Sequence, residues 1–325
     1  MRKTRKGLLF FSVILILVLV LVYSGLRILE STVLFPEEET VSDIPSKTIT
    51  RDGKDYFPRQ DITVMLLLGI DELGPAASSG YFRNHGEADT VALLILDHKN
   101  ETCSVLNLNR DTMVEMPVLG MGSRNAGSTF GQLALSHTYG EGLQDSCENA
   151  KATVSGFLGG ICIDHYVALR MDAISIITDA VGGVTVTVTD DFSQVDSTIA
   201  MGQVTLTGSQ AVTFVQTRRD VGSQMNLSRM DRHRTYMEGF LEALREKAED
   251  STSFFPKVYE DVSPYMVTDC SANVFSDLMG RCVDYPLVEI VTPEGENVMG
   301  EEYFEFYADP QKLDELILRL FYAPK

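Results

Sequence analysis

The sequence predicts an α/β domain preceded by one membrane-spanning helix. From Ile62 onward, short apolar runs of strand length alternate with helical segments, the pattern of an α/β fold. Near the N-terminus stands an uncharged apolar run, Leu8–Leu26, whose nineteen residues approach the roughly 20 that span a bilayer core.

The flanks of the apolar run predict its orientation. Arg2, Lys3, Arg5 and Lys6 precede it, whereas the far side is mainly acidic. The positive-inside rule therefore places residues 1–7 in the cytoplasm, residues 8–26 in the membrane as a single pass, and the remainder outside the cell. A cleaved signal peptide is the alternative, but no A-x-A pattern follows the run.

The exported part divides into a stem and a folded domain. Residues 27–60 are polar, acidic and interrupted by prolines, without sustained apolar periodicity, which indicates an extracytoplasmic stem. Residues 61–325 form the predicted domain. Its first three strands are predicted at Ile62–Gly69, Thr90–Leu96 and Cys103–Asn109, the last two joined as a hairpin by a polar turn.

Helices and strands alternate after this hairpin. The predicted strands are Asp164–Leu169 and Val184–Val188. The predicted helices are Gly131–Tyr139, Ser146–Leu158, Asp172–Ala180, Ser209–Gln216, Arg229–Lys247, Ala272–Arg281 and Pro310–Phe321.

The charge balance limits the partners. Without residues 1–26, which hold four basic and no acidic residues, 23 Lys and Arg stand against 46 Asp and Glu, a net charge of −23. Such a domain repels nucleic acid, and an anionic ligand needs a local basic cluster or a bridging divalent cation. Five cysteines without C-x-x-C spacing argue against a thiolate metal site. They are interpreted mainly as buried thiols, with disulfides Cys270–Cys282 or Cys147–Cys162 left open.

Charged residues stand at the ends of the first three strands. Asp71 follows the first, Asp89 precedes the second, and Arg110 with Asp111 follows the third. In antiparallel neighbours these positions share one sheet edge. Carboxylates gathered there call for a cation, and Mg²⁺ bound through carboxylates and phosphate oxygens meets that need, with Arg110 holding the phosphate. The alternative is an Arg110–Asp111 pair that merely closes a hairpin.

A second cluster lies between Gln216 and Arg234, where five arginines and no lysine fall in nineteen residues. Planar guanidinium groups suit bidentate capture of phosphate or pyrophosphate. Arg229 and His233 lie four residues apart, on one face at the start of a long helix. The cluster predicts an anion site, with solvated surface arginines as the alternative.

Taken in order, these motifs closely resemble those of the LytR-CpsA-Psr family of bacterial cell-wall phosphotransferases. The matching segments are Leu67–Asp71, Ala88–Thr90, Leu108–Thr112, Ile163–Val167, Ala180–Val184, Leu206–Gly208 and the cluster from Arg218 to Arg234. The resemblance implies a central mixed β-sheet flanked by helices, with an apolar tunnel for a polyprenyl chain. It also implies Mg²⁺-dependent transfer of a glycopolymer, such as teichoic acid or capsule, from polyprenyl pyrophosphate to a peptidoglycan hydroxyl.

The resemblance also implies roles for individual residues. Asp71 and Asp89 would hold Mg²⁺, while Arg110, Arg218 and Arg229 would grip the pyrophosphate. The same site would be lined by Gln216, Arg219, Arg232 and His233. Asp89, Arg110 and Arg218 are the expected catalytic residues, and Asp220 is the candidate base for the acceptor hydroxyl.

Three departures leave other functions open. Glu87 and Gln216 stand where the family commonly has arginine, and His233 where glutamine is usual. The same site acting with water would make a lipid-pyrophosphate hydrolase. Loss of activity would leave a non-catalytic envelope-binding or regulatory protein.

Overall fold

The structure is a computed structural model that describes residues 48–51, 53–217, 221, 226–248 and 253–324. Its strands are β1 (Ile49–Arg51), β2 (Lys54–Pro58), β3 (Ile62–Ile70), β4 (Ala88–Asp97), β5 (Thr102–Leu108), β6 (Met113–Leu119), β7 (Asn125–Gln132), β8 (His165–Arg170), β9 (Val184–Val188), β10 (Gly202–Leu206), β11 (Met266–Thr268), β12 (Leu287–Val291), β13 (Gly295–Met299), β14 (Phe304–Ala308) and β15 (Tyr322–Pro324). Its α-helices are α1 (Gln144–Phe157), α2 (Met171–Ala180), α3 (Gly208–Gln216), α4 (Asn226–Ala248), α5 (Phe254–Val262), α6 (Ala272–Asp284) and α7 (Pro310–Phe321).

Six strands form a central mixed sheet in the order β11-β8-β3-β4-β5-β12. β3, β4 and β5 are antiparallel neighbours, whereas β8 runs parallel to β3 and β12 runs parallel to β5. Helices pack on both sides of this sheet, so the α/β prediction with a central mixed sheet is confirmed.

The two faces of the sheet explain why β3 and β4 are almost continuously apolar. Val64, Leu66 and Leu68 of β3 join one core cluster with residues of α1 and α7. The intervening Met65 joins a second cluster with residues of α5 and α6. Because successive side chains of a strand point to opposite faces, a strand covered on both sides needs apolar residues at every position.

A smaller layer lies beside the main sheet. β9 and β10 pair as a two-stranded antiparallel sheet, and their inward valines pack with α3 and α4 in a third core cluster. α3 begins with a capping box, in which the side chains of Thr207 and Gln210 satisfy amides of the first turn. This layer positions α3 and α4, which carry the arginine-rich part of the sequence.

One prediction of local structure is wrong. The segment Gly131–Tyr139 was expected to be a helix, but it comprises the end of β7 and a 3-10 helix, Leu133–Thr138. β7 pairs with β6 in a hairpin, and the first four residues of β7 are exposed, so β7 lacks the apolar run that marks a buried strand.

The folded domain also begins before Asp61. β1 and β2 fall inside the predicted stem, and β2 pairs with β15 at the C-terminus. These strands are short and largely polar, and the partner lies more than 260 residues away in sequence, so local patterns do not reveal them.

The predicted membrane helix, Leu8–Leu26, lies outside the described residues. Among the helices that are described, none combines the length and the apolarity needed to cross a bilayer. All five cysteines are free thiols. Four of them are buried and only Cys162 is exposed, which agrees with their interpretation as core residues.

Candidate active site

Asp71, Asp89 and Arg110 lie at one edge of the central sheet, the edge formed by the end of β3, the start of β4 and the end of β5. Ile70 at the end of β3 pairs with Ala88 at the start of β4, and Val91 pairs with Leu108 at the end of β5. Each charged residue lies within three positions of one of these pairs, so the antiparallel register brings the three together.

Arg110 is the centre of an ion-pair network. Its guanidinium contacts Glu87 Oε2 at 2.6 Å, Asp89 Oδ1, and Asp111 Oδ1 at 3.4 Å. The side chains of Arg110 and Asp89 are 11% and 7% exposed, whereas that of Glu87 is 41% exposed. Three carboxylates around one guanidinium leave a local excess of negative charge, which favours a further cation at this edge.

Glu87 occupies this site because the preceding turn is fixed by buried polar groups. Asp71 N–H donates to the Glu87 carbonyl at 3.0 Å. One residue earlier, Gly86 N–H donates to Asn84 Oδ1 at 2.7 Å, and the carbonyl of Gly86 lies 2.8 Å from His137 Nδ1. Asn84 and His137 were not predicted as site residues, and no motif around them marks this role.

His137 holds the turn in its neutral form. A carbonyl only accepts, so Nδ1 carries the proton that is donated to Gly86. The other ring nitrogen, Nε2, lies 3.8 Å from the Sγ of Cys147. Burial lowers the pKa of His137 to about 4, and burial likewise raises the pKa of the Cys147 thiol.

His233 connects α4 to the central sheet and to α3. Its Nε2 lies 3.0 Å from the Val215 carbonyl, and its Nδ1 lies 3.2 Å from Thr90 Oγ1, next to Asp89. The exposed Gln216 follows Val215 at the end of α3. The structure thus brings His233 and Gln216 to the neighbourhood of Asp89.

Arg232 has contacts of a different kind. It is 3% exposed, pairs with Asp190 at 2.5 Å, and donates to the carbonyls of Phe214 (2.9 Å) and Thr217. These contacts brace the end of α3 against α4, so they give Arg232 a structural role. Its predicted contact with substrate stays a prediction.

Four other predicted site residues lie outside what the structure describes. They are Arg218, Arg219 and Asp220, together with the side chain of Arg229 on α4. Their described neighbours are close in sequence to two residues of the site. Thr217 follows Gln216, and Asp231 lies two residues before His233.

A mostly apolar cavity of about 270 Å³ begins at this edge of the sheet. Its polar end is defined by Asp89, Thr90, Gln216 and His233. The remaining wall is almost entirely aliphatic and aromatic, with residues from β3, β4, β8, α2, α4, α5 and α6 that include Met65, Leu67, Leu94, Ile177, Met237, Phe240, Phe255 and Phe275. An apolar cavity that ends in charged groups fits an amphiphile with an anionic head.

The donor set at the sheet edge fits Mg²⁺. Asp71 and Asp89 offer carboxylate oxygens, the hard ligands that this ion prefers, and Mg²⁺ commonly takes only one or two carboxylates beside substrate phosphates and water. The excess negative charge around Arg110 adds to the fit. Asp71 and Asp89 are therefore the residues that would hold the ion.

Comparison with known proteins gives concordant results. The curated relative from Enterococcus faecalis named polyisoprenyl-teichoic acid--peptidoglycan teichoic acid transferase TagU is 27% identical over 277 residues, 85% of this chain and 81% of the relative. The crystal structure of TagV from B. subtilis matches with a TM-score of 0.62 and 22% identity, covering 81% of this chain and 96% of TagV. The structure of TagT bound to LI-WTA matches with a TM-score of 0.60 and 21% identity, over 85% and 95% of the two chains.

These two structural likenesses establish the fold. Membership rests on the sequence, because the LytR_cpsA_psr family profile matches residues 34–319, a span that runs from before β1 into α7. This chain belongs to the LytR_cpsA_psr family.

Proposed function

We propose that this protein transfers a glycopolymer from a polyprenyl-pyrophosphate carrier to a hydroxyl of peptidoglycan. The observation that carries the proposal is the position of the Asp89–Arg110 network at the polar end of an apolar cavity. A donor with a long hydrocarbon tail and a pyrophosphate head has the same division into apolar and anionic parts. The TagU relative, whose name states teichoic acid transfer to peptidoglycan, supports the same reaction class.

The donor would bind by its two parts separately. The polyprenyl chain would enter the cavity between α2, α4 and the sheet, where apolar burial stabilises it. The pyrophosphate would lie against Arg110, with Arg218 and Arg229 as further proposed guanidinium contacts and Gln216, Arg219 and His233 beside them. Forked guanidinium donors match the paired oxygens of a phosphate group.

Asp71 and Asp89 would hold Mg²⁺, which when bound supplies positive charge to the pyrophosphate oxygens. Asp89 also fixes Arg110 through their ion pair. One buried carboxylate thus positions the guanidinium, and its exchange for an amide removes that charge-assisted contact.

The reaction exchanges one phosphorus–oxygen bond for another. The acceptor hydroxyl oxygen bonds to the phosphorus that carries the glycan, while the bridge oxygen leaves with polyprenyl phosphate. The hydroxyl proton passes to a carboxylate, for which Asp220 is the proposed base. Positioning and charge neutralisation provide most of the catalysis in phosphoryl transfer, which is consistent with a site built of arginines and carboxylates.

Glu87 distinguishes this site from the usual pattern of the family, in which an arginine commonly stands at this position. Its carboxylate lies 2.6 Å from Arg110 Nη2, so an incoming phosphate oxygen competes with it. Because the Glu87 side chain is 41% exposed, it can turn to solvent without breaking the core. Glu87 would therefore tune donor affinity.

The acceptor and the cellular location complete the proposal. We assign the protein to the cell membrane, anchored by residues 8–26 with its N-terminus in the cytoplasm and the domain in the extracytoplasmic space, where peptidoglycan and lipid-linked glycopolymers meet. The relatives named for teichoic acid favour teichoic acid or a similar polymer over other glycans as the transferred group.

The proposal is tested by incubating the full chain, purified in detergent, with a polyprenyl-pyrophosphate-linked glycan, peptidoglycan and Mg²⁺. We expect glycan attached covalently through phosphodiester to peptidoglycan, and its loss with a chelator. Asp89→Asn should reduce the product at least about 100-fold, since it removes a charged contact at the reacting group. Glu115→Gln, an exposed carboxylate on β6, is the matched control.

Product analysis separates the alternatives. Free phosphorylated glycan formed in the presence of abundant peptidoglycan would identify a hydrolase. No product with any donor, together with full complementation of a deletion strain by Asp89→Asn, would identify a non-catalytic protein, in which Glu87 permanently occupies Arg110.

A further inference from the structure

A second group of side chains that could bind a metal lies at the side of the central sheet where β8 pairs with β11. It comprises His165 at the start of β8, Asp269 just after β11, and Cys270, the next residue. His165 pairs with Met65, five residues before Ile70 in β3. At about 3.3 Å per residue, the group is roughly 16 Å along the strands from the Asp71 edge. It is therefore distinct from the candidate active site.

The ligand atoms have the spacing of a tetrahedral site. His165 Nδ1 lies 3.4 Å from Asp269 Oδ1, and Cys270 Sγ lies 3.7 Å from the same oxygen. All three side chains offer ligand atoms within 4.8 Å of one another. Tetrahedral zinc, with bonds of about 2.0–2.3 Å, separates its ligand atoms by about 3.3–3.7 Å.

The backbone holds these residues in place. Tyr166 N–H donates to Asp269 Oδ1 at 3.0 Å, and Thr268 Oγ1 donates to the Tyr166 carbonyl at 2.6 Å. Cys270 N–H in turn donates to Thr268 Oγ1 at 3.0 Å. These bonds fasten the Thr268–Cys270 segment to β8, which sets the three side chains before any ion binds.

One nitrogen in the group, Nδ1 of His165, is a buried polar atom that an ion could satisfy. Nδ1 of His165 is buried and makes no hydrogen bond to the part of the chain that the structure describes, although Asp269 lies 3.4 Å away. A buried polar atom of this kind is commonly satisfied by a ligand, water or an ion. Asp269 and His165 retain about a third of their side-chain surface, so an ion can reach the site.

We propose that His165 Nδ1, the Asp269 carboxylate and the Cys270 thiolate bind one Zn²⁺ ion, with solvent at the fourth position. The cysteine spacing argues against a site made of several thiolates, but this site needs only one. Nitrogen and sulfur ligands select zinc over the oxygen-seeking Mg²⁺ of the proposed active site. The Cys270 thiol gives up its proton to solvent as its sulfur bonds to the metal. The ion links β8 to the end of β11 and to the segment that precedes α6, and it lies apart from the residues of the proposed transfer reaction.

The test uses the full chain in detergent, stripped of metal by a chelator and titrated with Co²⁺. We expect one equivalent to produce a thiolate-to-cobalt absorption band in the near ultraviolet, which Zn²⁺ abolishes and excess Mg²⁺ does not. Zn²⁺ should also raise the thermal unfolding temperature of the wild type. Both signals report metal binding without any activity measurement.

The variants identify the ligands. Cys270→Ser should lose the band, and His165→Gln should weaken Co²⁺ binding at least about tenfold. His165 is partly exposed, so this variant tests the site even if Cys270→Ser folds poorly. Cys162→Ser, which removes the exposed thiol, should leave the band unchanged. The proposal is wrong if the wild type shows no stoichiometric band, if His165→Gln binds as the wild type does, or if Cys162→Ser alone removes the signal.

Discussion

The guanidinium of Arg110 and the carboxylate of Glu87 form a 2.6 Å ion pair at the edge of the central sheet, beside the buried Asp89. An arginine in the place of Glu87 would repel Arg110 and attract phosphate. Here the carboxylate satisfies Arg110 and competes with phosphate instead. The affinity of the site for an anionic donor therefore depends on how easily Glu87 is displaced.

Replacing Glu87 by Gln should strengthen donor binding. The charge-assisted bond to Arg110 is partly exposed, so its removal is worth about 1 kcal/mol, equivalent to a roughly fivefold lower KM for the donor at unchanged kcat. Steady-state kinetics measure KM and kcat, and calorimetric titration with inorganic pyrophosphate measures the affinity of the site for the anion. Glu115→Gln is the control and should change neither value. Weaker pyrophosphate binding in the presence of Mg²⁺ would instead identify Glu87 as a metal ligand.

Removing Arg110 should destabilise the protein as well as inactivate it. Arg110→Ala leaves Asp89 buried without its partner, a loss of about 3–5 kcal/mol in the free energy of unfolding. Adding Asp89→Asn to this variant should recover part of the loss, because the uncompensated charge disappears. Urea unfolding of the full chain measures both. Arg281→Ala breaks an exposed pair with Asp277 and should cost less than about 1 kcal/mol. Equal instability of the single and double variants would locate the loss elsewhere.

The central layers of the fold could be predicted because their signals are local. β3, β4 and α7 stand out as apolar runs or amphipathic segments, and their predicted bounds agree with the structure to within two residues. β1, β2 and β15 could not be predicted, since they are three to five residues long and the sheet they form depends on the pairing of β2 with β15 at the other end of the chain. β13 is exposed along its whole length and carries no alternating apolar pattern.

The candidate site likewise has residues whose placement could be predicted from the sequence and residues whose placement could not. The meeting of Asp71, Asp89 and Arg110 follows from strand ends and antiparallel register, which a sequence reveals. The burial of Arg232 could not be predicted, because a charge pattern does not indicate burial, and the structure pairs this residue with Asp190. Asn84 and His137 act through backbone carbonyls, a role with no sequence signature.

A larger side chain in the cavity should weaken binding of the lipid tail and leave binding of the pyrophosphate head unchanged. Ile177→Trp places a larger side chain in the cavity wall. We expect at least about tenfold weaker binding of polyprenyl phosphate, since the loss of only two buried methylene groups has that effect, and unchanged binding of inorganic pyrophosphate. Competition binding with both ligands measures it. Val288→Trp, at a position that is 58% exposed, is the control. If both tryptophan variants bind polyprenyl phosphate equally well, the tail does not use this cavity.

Acid should weaken the fold through His137. Its pKa falls from 6.5 in the unfolded chain to about 4 in the folded protein, because burial disfavours the charged ring. Between about pH 6.5 and pH 4 the unfolded chain therefore binds a proton that the folded protein refuses. Stability falls over this window by up to about 3 kcal/mol and is fully present above it.

Unfolding free energies of wild type and His137→Gln, measured from pH 7 to pH 4, test this directly. The Gln amide keeps a donor for the Gly86 carbonyl but does not titrate, so the wild-type curve should fall by about 3 kcal/mol more than the variant curve. His85→Gln removes an exposed imidazole and should follow the wild type. Parallel curves for wild type and His137→Gln would show that the folded protein protonates this ring below about pH 6.5, as the unfolded chain does. In that case Gly86 and the neighbouring Glu87 would be held by a cation, and the turn beside Arg110 would carry an additional positive charge.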